Sequence, residues 1–212
     1  MIDEAVPGPY RGKRVLDLAL LTVLAVPAAL LCAVCAVAVL VSSPGPVLFR
    51  QTRVGMDGRP FEMLKFRTML DGDNPMIPTD DRITVSGRWL RRSSLDELPQ
   101  LLNVMRGDMS IVGPRPTLAY QVERWTDRQR GRLAVRPGLT GLAQVRGRND
   151  LDWSTRIEHD LEYVARQGVT ADLVILARTA VAVARPEGST AADDPLARPD
   201  PGTDAVSDHA VA

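Results

Sequence analysis

From Val15 to Val41 the chain runs for 27 residues with one charge, Asp17, and one hydroxyl, Thr22. An apolar stretch of about 18 or more residues is long enough to form a membrane helix. The apolar part of a secretory signal peptide is shorter, roughly 7–15 residues, and precedes a small-residue cleavage site. Here the run leads into Ser42-Ser43-Pro44-Gly45-Pro46 instead. A buried helix in a soluble domain is a poor alternative for an apolar run of 27 residues.

The flanks constrain orientation. Arg11, Lys13 and Arg14 precede the run, and Arg50, Arg53, Arg59, Lys65 and Arg67 follow it. Basic flanks favour the cytoplasmic side, so a straight span would have to export one of them. Pro27 divides the run, removing a backbone hydrogen bond and crowding the preceding turn. Its halves, Val15–Val26 and Ala28–Val41, hold 12 and 14 residues. At about 1.5 Å per residue, each reaches only part-way through a bilayer core of roughly 30 Å. A helix that enters, breaks at Pro27 and returns to the same face satisfies length, kink and charge together. A tilted, Pro-kinked full span is the competing reading.

The net charge of zero conceals an uneven distribution. Residues 187–212 carry six acids and one base, a net −5, which leaves the rest of the chain at +5. A mildly cationic body suits lipid headgroups, phosphates or nucleic acid equally, so sign alone does not choose a partner. The acidic tail, rich in Pro, Ala, Asp and Gly, has the composition of a disordered segment. Cys32 and Cys35 are three apart within the apolar run, which a helix would place on one face, and they read as reduced packing residues.

Between run and tail, Val47–Val54 and Arg59–Phe66 flank Gly55-Met56-Asp57-Gly58 as a β-hairpin. A helix is expected from about Leu95–Leu98 to Met105, closed by Arg106-Gly107. Leu118–Leu133 reads as a charged helix with Trp125 available to an interface. Trp153–Arg166 and Thr170–Ala184 read as two more, the last packing on the core or lying in the lipid interface.

The chain has no Walker phosphate loop, no Gly-x-Gly-x-x-Gly, no His-Glu-x-x-His and no Gly-x-Ser-x-Gly. Its two histidines, His159 and His209, leave no basis for a histidine triad or zinc centre. The densest polar stretch is Arg91-Arg92-Ser93-Ser94-Leu95-Asp96-Glu97-Leu98-Pro99-Gln100. One reading is a capping box, with Ser94 as cap and Glu97 reaching back. Pro99 would then be the fifth helical residue and would clash with the Leu95 carbonyl. Starting the helix at Asp96 or Glu97 puts Pro99 safely in the first turn. Two carboxylates there, beside arginines, supply an aspartyl nucleophile or a metal ligand with cations to neutralise phosphate. Local sequence leaves both readings open. Lys65 and Arg67, Arg115, and Arg146 and Arg148 place further cations on turns or strand ends, where phosphate binders tend to lie. Asp71-Gly72-Asp73 imitates an Asp-x-Asp metal motif but reads as a turn.

In order and spacing, three stretches resemble the bacterial sugar transferase family, the small monotopic phosphoglycosyl transferases. They are SPGPVLFRQTRVGMDGRPFEMLKFRTM, GRWLRRSSLDELPQLLNVMRGDMSIVGPRP and VRPGLTGLAQVRGR. Weaker similarity in DLEYV and DLVILARTAVAV extends the likeness over roughly Lys13 to Arg185. The resemblance implies an α/β, mostly α fold. A re-entrant, Pro-kinked N-terminal membrane helix would join a small cytoplasmic catalytic domain with a β-hairpin and interfacial amphipathic helices. The expected division is 1–14 as a cytoplasmic segment, 15–41 as the re-entrant helix, 42–185 as the catalytic domain and 186–212 as the tail. It further implies an Asp96–Glu97 dyad with Mg2+ at Asp96, and phosphate contacts from Lys65, Arg67, Arg91, Arg115, Arg146 and Arg148.

In such a family the Asp attacks the sugar-linked phosphate of a UDP-sugar, releases UMP and holds the phosphosugar. Undecaprenyl phosphate then takes it, which begins assembly of a glycan. The implied setting is the cytoplasmic face of a bacterial inner membrane, with lipid and room for a homodimer but no nucleic acid among the partners. Two positions depart from the common family pattern: Val26 precedes Pro27 where a serine is frequent, and Leu142 stands where tryptophan is frequent. Neither touches the dyad. The alternatives are a direct lipid-acceptor glycosyltransferase, which would release UDP, and an inactive membrane scaffold, which would release neither nucleotide.

Overall fold

The computed structural model describes residues 6–70, 82–147 and 151–184, so Asp71–Asp73, Arg148 and the acidic tail lie outside the described residues. Its first element, α1, is a single helix, Lys13–Ser42, that includes Pro27. At 30 residues it is about 45 Å long. It begins two residues earlier than expected, because Gly12 turns the chain with φ at 86° and admits Lys13 and Arg14 to the first turn. It is the one described helix long and apolar enough to cross a membrane.

Both ends of α1 dock on the same domain. Lys13 and Asp17 are buried near its start, and Cys35 and Val39 near its finish. Leu20 and Leu21 pack against a core of Val104, Met109, Ile111, Val112, Tyr163 and Ile175. Leu31, Cys32 and Ala36 join Cys35 and Val39 in packing on Phe66, Leu90, Leu95 and Leu98. Between these two contacts, residues 22–27 are exposed on every side. Apolar side chains exposed all round a helix mark an interaction surface.

The hairpin forms as expected. β1 (Leu48–Val54) pairs antiparallel with β2 (Pro60–Phe66), with Leu48 opposite Phe66 and Val54 opposite Pro60. Its turn needs positive φ at Asp57 (57°) and Gly58 (76°), which Asp and Gly tolerate best. α2 (Val85–Arg92) and α3 (Gln100–Arg106) follow, the latter closed by Gly107 at φ 93°. β3 (Ser110–Val112) and β4 (Gly138–Thr140) make a short parallel pair. A Cβ at Gly138 would lie 2.1 Å from the Gly113 nitrogen, so glycine permits the pairing.

The expected helix Leu118–Leu133 is instead three short pieces: α4 (Ala119–Glu123), α5 (Asp127–Arg130) and a 3-10 segment, Gly131–Ala134. Thr126 breaks the run by adopting an extended conformation and capping α5 with its side chain. Trp125 is buried beside Val54, Val122 and Ile157 rather than presented to a partner. α6 (Leu142–Arg146), α7 (Trp153–Arg166) and α8 (Val169–Ala184) complete the domain. The result is mostly helical, with two small sheets.

Candidate active site

α2 ends at Arg92, and Ser94 then turns the chain back with φ at 58°, a conformation few non-glycine residues adopt. Leu95, Asp96 and Glu97 form one 3-10 turn ahead of α3. Leu95 and Leu98 are drawn into the apolar cluster beneath the C-terminal half of α1. Ser94 makes no side-chain cap, so the capping-box reading does not hold. The dyad sits just before α3 rather than in its first turn, because Pro99 occupies the position that opens α3.

The two carboxylates have different surroundings. Oε1 of Glu97 accepts from Lys65 Nζ at 2.7 Å and from Arg115 Nη2 at 2.8 Å. Burial works to raise its pKa, but the charges and hydrogen bonds of Arg115 and Lys65 prevail and hold it well below the usual carboxylate range. Asp96 is 9 % exposed. Among the described residues, no donor is bonded to its carboxylate. Burial pushes its pKa up to about 6, the Lys65 charge opposing and the Glu97 charge adding to the push, with Arg91 and Arg115 also opposing. Neighbouring groups whose environments drive their pKa values apart are the pattern of a site that divides chemical roles.

Lys65, Asp96, Glu97 and Arg115 therefore meet, and Arg91, bonded to Met69, is near enough for its charge to act on Asp96. Three cations against two carboxylates leave a local excess of +1, which suits a phosphate-bearing ligand. Arg67 is not among them. Buried under the end of α1, it donates to the Pro44 carbonyl at 2.6 Å and to the Ser43 carbonyl and hydroxyl at 2.9 Å each. Arg146 is bound by Glu162 and lies 3.0 Å from His159 Nδ1, on the α6–α7 side. Arg148 falls outside the described residues. Pro27 is at the exposed middle of α1.

One residue that the sequence did not single out matters here. Asn103 is fully buried on α3, and its side chain bonds to the backbone of β2 at Leu64 and Glu62. It ties the strand carrying Lys65 to the helix that follows the dyad. A lone amide at the inward end of an apolar helix pattern was the only available signal.

Among the described residues no group of three or more His, Cys, Asp or Glu could hold a metal ion by itself. A metal here would have Asp96 and Glu97 as its protein donors, with ligand oxygens or water completing its shell.

Known proteins carry the same arrangement of sequence. The sugar transferase EpsL of Bacillus subtilis is 45% identical over 146 residues, covering 68% of this chain and 72% of that protein. The UDP-glucose:undecaprenyl-phosphate glucose-1-phosphate transferase of Caulobacter vibrioides is 48% identical over 183 residues, covering 79% and 67%. The Escherichia coli protein of the same description is 45% identical over 178 residues, covering 77% of this chain but 38% of the longer relative. Residues 9–186 match the bacterial sugar transferase family, and with relatives of this identity over most of its length the chain belongs to that family.

Proposed function

We propose that this chain transfers a sugar phosphate from a UDP-sugar to undecaprenyl phosphate through a covalent intermediate on Asp96. The observation that carries the reading is the contrast between the adjacent carboxylates. Asp96 is buried and its pKa is pushed up to about 6, while Glu97 is bonded to Lys65 and Arg115 and held down by them. A more basic carboxylate is the better nucleophile, and the depressed one suits an anchor for cations. The names of the relatives supply the acceptor, and some of them the donor class.

In the first half-reaction an Asp96 oxygen attacks the sugar-bearing phosphorus, and the bond from that phosphorus to the bridging oxygen breaks. UMP leaves with the bridging oxygen, and the phosphosugar stays on Asp96. In the second, a phosphate oxygen of the acceptor attacks the same phosphorus, yielding undecaprenyl diphosphate sugar and restoring the carboxylate. Lys65, Arg91 and Arg115 provide the positive charge that such a transfer needs. Mg2+ fits the donor set, since it is commonly held by one or two carboxylates plus substrate phosphates. When bound, it would neutralise part of the pyrophosphate charge.

The same reading places the domain on the cytoplasmic face of a bacterial inner membrane, with α1 re-entrant. Both ends of α1 dock on one domain while residues 22–27 are exposed all round, as a helix dipping into lipid and returning would require. Exposed apolar side chains on α2 (Val85, Trp89), α3 (Leu102, Met105) and α8 (Leu173, Val174, Val181) suit contact with the bilayer surface. The deciding experiment incubates the protein with UDP-glucose and other UDP-sugars without acceptor. UMP release with a phosphosugar adduct on Asp96 is expected. Release of UDP, or of neither nucleotide, overturns the assignment.

A further inference from the structure

The backbone that presents Arg115 is held at four consecutive carbonyl oxygens. Pro114 O accepts from Gly138 N at 2.8 Å, and Thr117 O from Val54 N at 2.9 Å. Pro116 O faces Arg53 Nη1 at 3.4 Å. The carbonyl of Arg115 itself accepts from Arg132 Nη2 at 2.8 Å. Strand neighbours supply two of these donors at no cost in buried charge. The other two come from buried guanidiniums, Arg53 at 7 % exposed and Arg132 at 4 %, and Arg132 is the one that holds the Arg115 carbonyl itself.

The surroundings of Arg132 are built to keep that charge in place. Its Nη2 lies 2.5 Å from Asp160 Oδ2, whose side chain is equally buried. Its guanidinium sits 4.8 Å from the ring centre of Trp125 and 5.9 Å from that of Trp153. Planar, delocalised guanidinium groups stack on such rings while forking their N–H groups to several acceptors. As a means of stability this is a weak choice, because apolar residues of similar volume commonly hold a fold as well as a buried ion pair. An apolar set, however, has no donor for the Arg115 carbonyl.

Arg115 has particular need of one. Its side chain is 44 % exposed and reaches Glu97 from a turn, so its aim depends on where the main chain starts it. We propose that Arg132, locked by Asp160 and stacked on Trp125 and Trp153, is a positioning residue that fixes the Arg115 backbone so that its guanidinium meets Glu97 and the donor phosphate. This rests on the proposed function, in which Arg115 compensates phosphate charge.

The test uses the full chain and reads kcat/KM for UMP release together with thermal unfolding. Arg132→Met combined with Asp160→Leu removes the donor while leaving an apolar fill for the pair. It should stay folded and lose at least ten-fold in kcat/KM. Adding Arg115→Ala to it should cost less than three-fold further, although Arg115→Ala alone costs ten-fold or more. A folded double variant with full activity, or one in which Arg115→Ala keeps its whole effect, overturns the proposal. Should the double variant fail to fold, Arg132→Lys decides. It keeps the charge opposite Asp160, but a shorter, non-planar ammonium does not stack on Trp125 and Trp153 and so is not held in line with the Arg115 carbonyl. The same ten-fold loss is therefore expected, and unchanged kcat/KM overturns the proposal. If Arg115→Ala alone leaves kcat/KM unchanged, the reading of the site itself fails. If only the Arg132 variants are silent, the positioning role fails by itself.

Discussion

The main-chain N–H of Leu64 donates to the side-chain carbonyl of Asn103 at 3.0 Å. The Asn103 amide returns a bond to the Glu62 carbonyl at 2.7 Å. Asn103 thus stands where a third strand would otherwise satisfy β2. Asn103→Leu would leave the buried Leu64 N–H without this partner, at about 1–3 kcal/mol, and would remove the part-buried bond to the Glu62 carbonyl as well. Urea unfolding should show that loss, and turnover should fall because Lys65 rides on the same strand. An unchanged urea midpoint would show that the amide carries no such burden.

Asp96→Asn preserves shape while removing the anionic oxygen that attacks phosphorus. The variant should fold normally, form no phosphosugar adduct by mass spectrometry and release no UMP. Asparagine caps a helix as well as aspartate. A purely structural Asp96 would therefore tolerate the change, and a fully active variant would end the covalent mechanism.

Lys65 and Arg115 bond to the same oxygen of Glu97. Replacing either with alanine removes a charged hydrogen bond, worth about 1.5–3 kcal/mol. That corresponds to a loss of roughly 10- to 150-fold in kcat/KM. Because the two share one acceptor, the double variant should lose less than the product of the single losses. A double-mutant cycle that comes out strictly additive would argue that they act on separate groups.

Topology is open to chemical labelling. Tags at the two chain ends should both be shielded from a membrane-impermeant reagent in intact cells. Labelling of one end alone would mean that α1 crosses the bilayer. Pro27→Leu restores the main-chain donor that proline lacks in mid-helix and should move a fraction of molecules to the spanning form, seen as partial labelling.

Local features were legible from sequence and distant ones were not. The hairpin around Gly55–Gly58 is fixed by its own turn residues, α7 by its apolar periodicity and α8 by a long run of apolar helix formers. The cations nearest the dyad could be named as candidates, but their ranking could not. Arg67 and Arg146 look like Arg115 in sequence, and only tertiary neighbours divert them to Ser43 and Glu162. Thr126 interrupts a charged segment that reads as one helix, because side-chain capping competes with helix continuation at a single residue. Arg132 and Asp160 are 28 positions apart, and nothing in either segment announces the other.

The ammonium of Lys13 lies 2.7 Å from Asp172, 159 residues further along the chain. Asp17, one turn on from Lys13, accepts from the Ser110 hydroxyl at 2.9 Å and the Ile111 amide at 3.1 Å. At a synthesis rate of about 5–20 residues per second, α8 emerges about 8–30 s after the start of α1. Until Ser110 and Ile111 are made, Asp17 has Lys13 and water, and until α8 is made Lys13 lacks the Asp172 carboxylate. α1 is therefore completed only when α8 arrives. A chain stopped short of Asp172 would leave the Lys13 ammonium with Asp17 as its one carboxylate partner among the described residues.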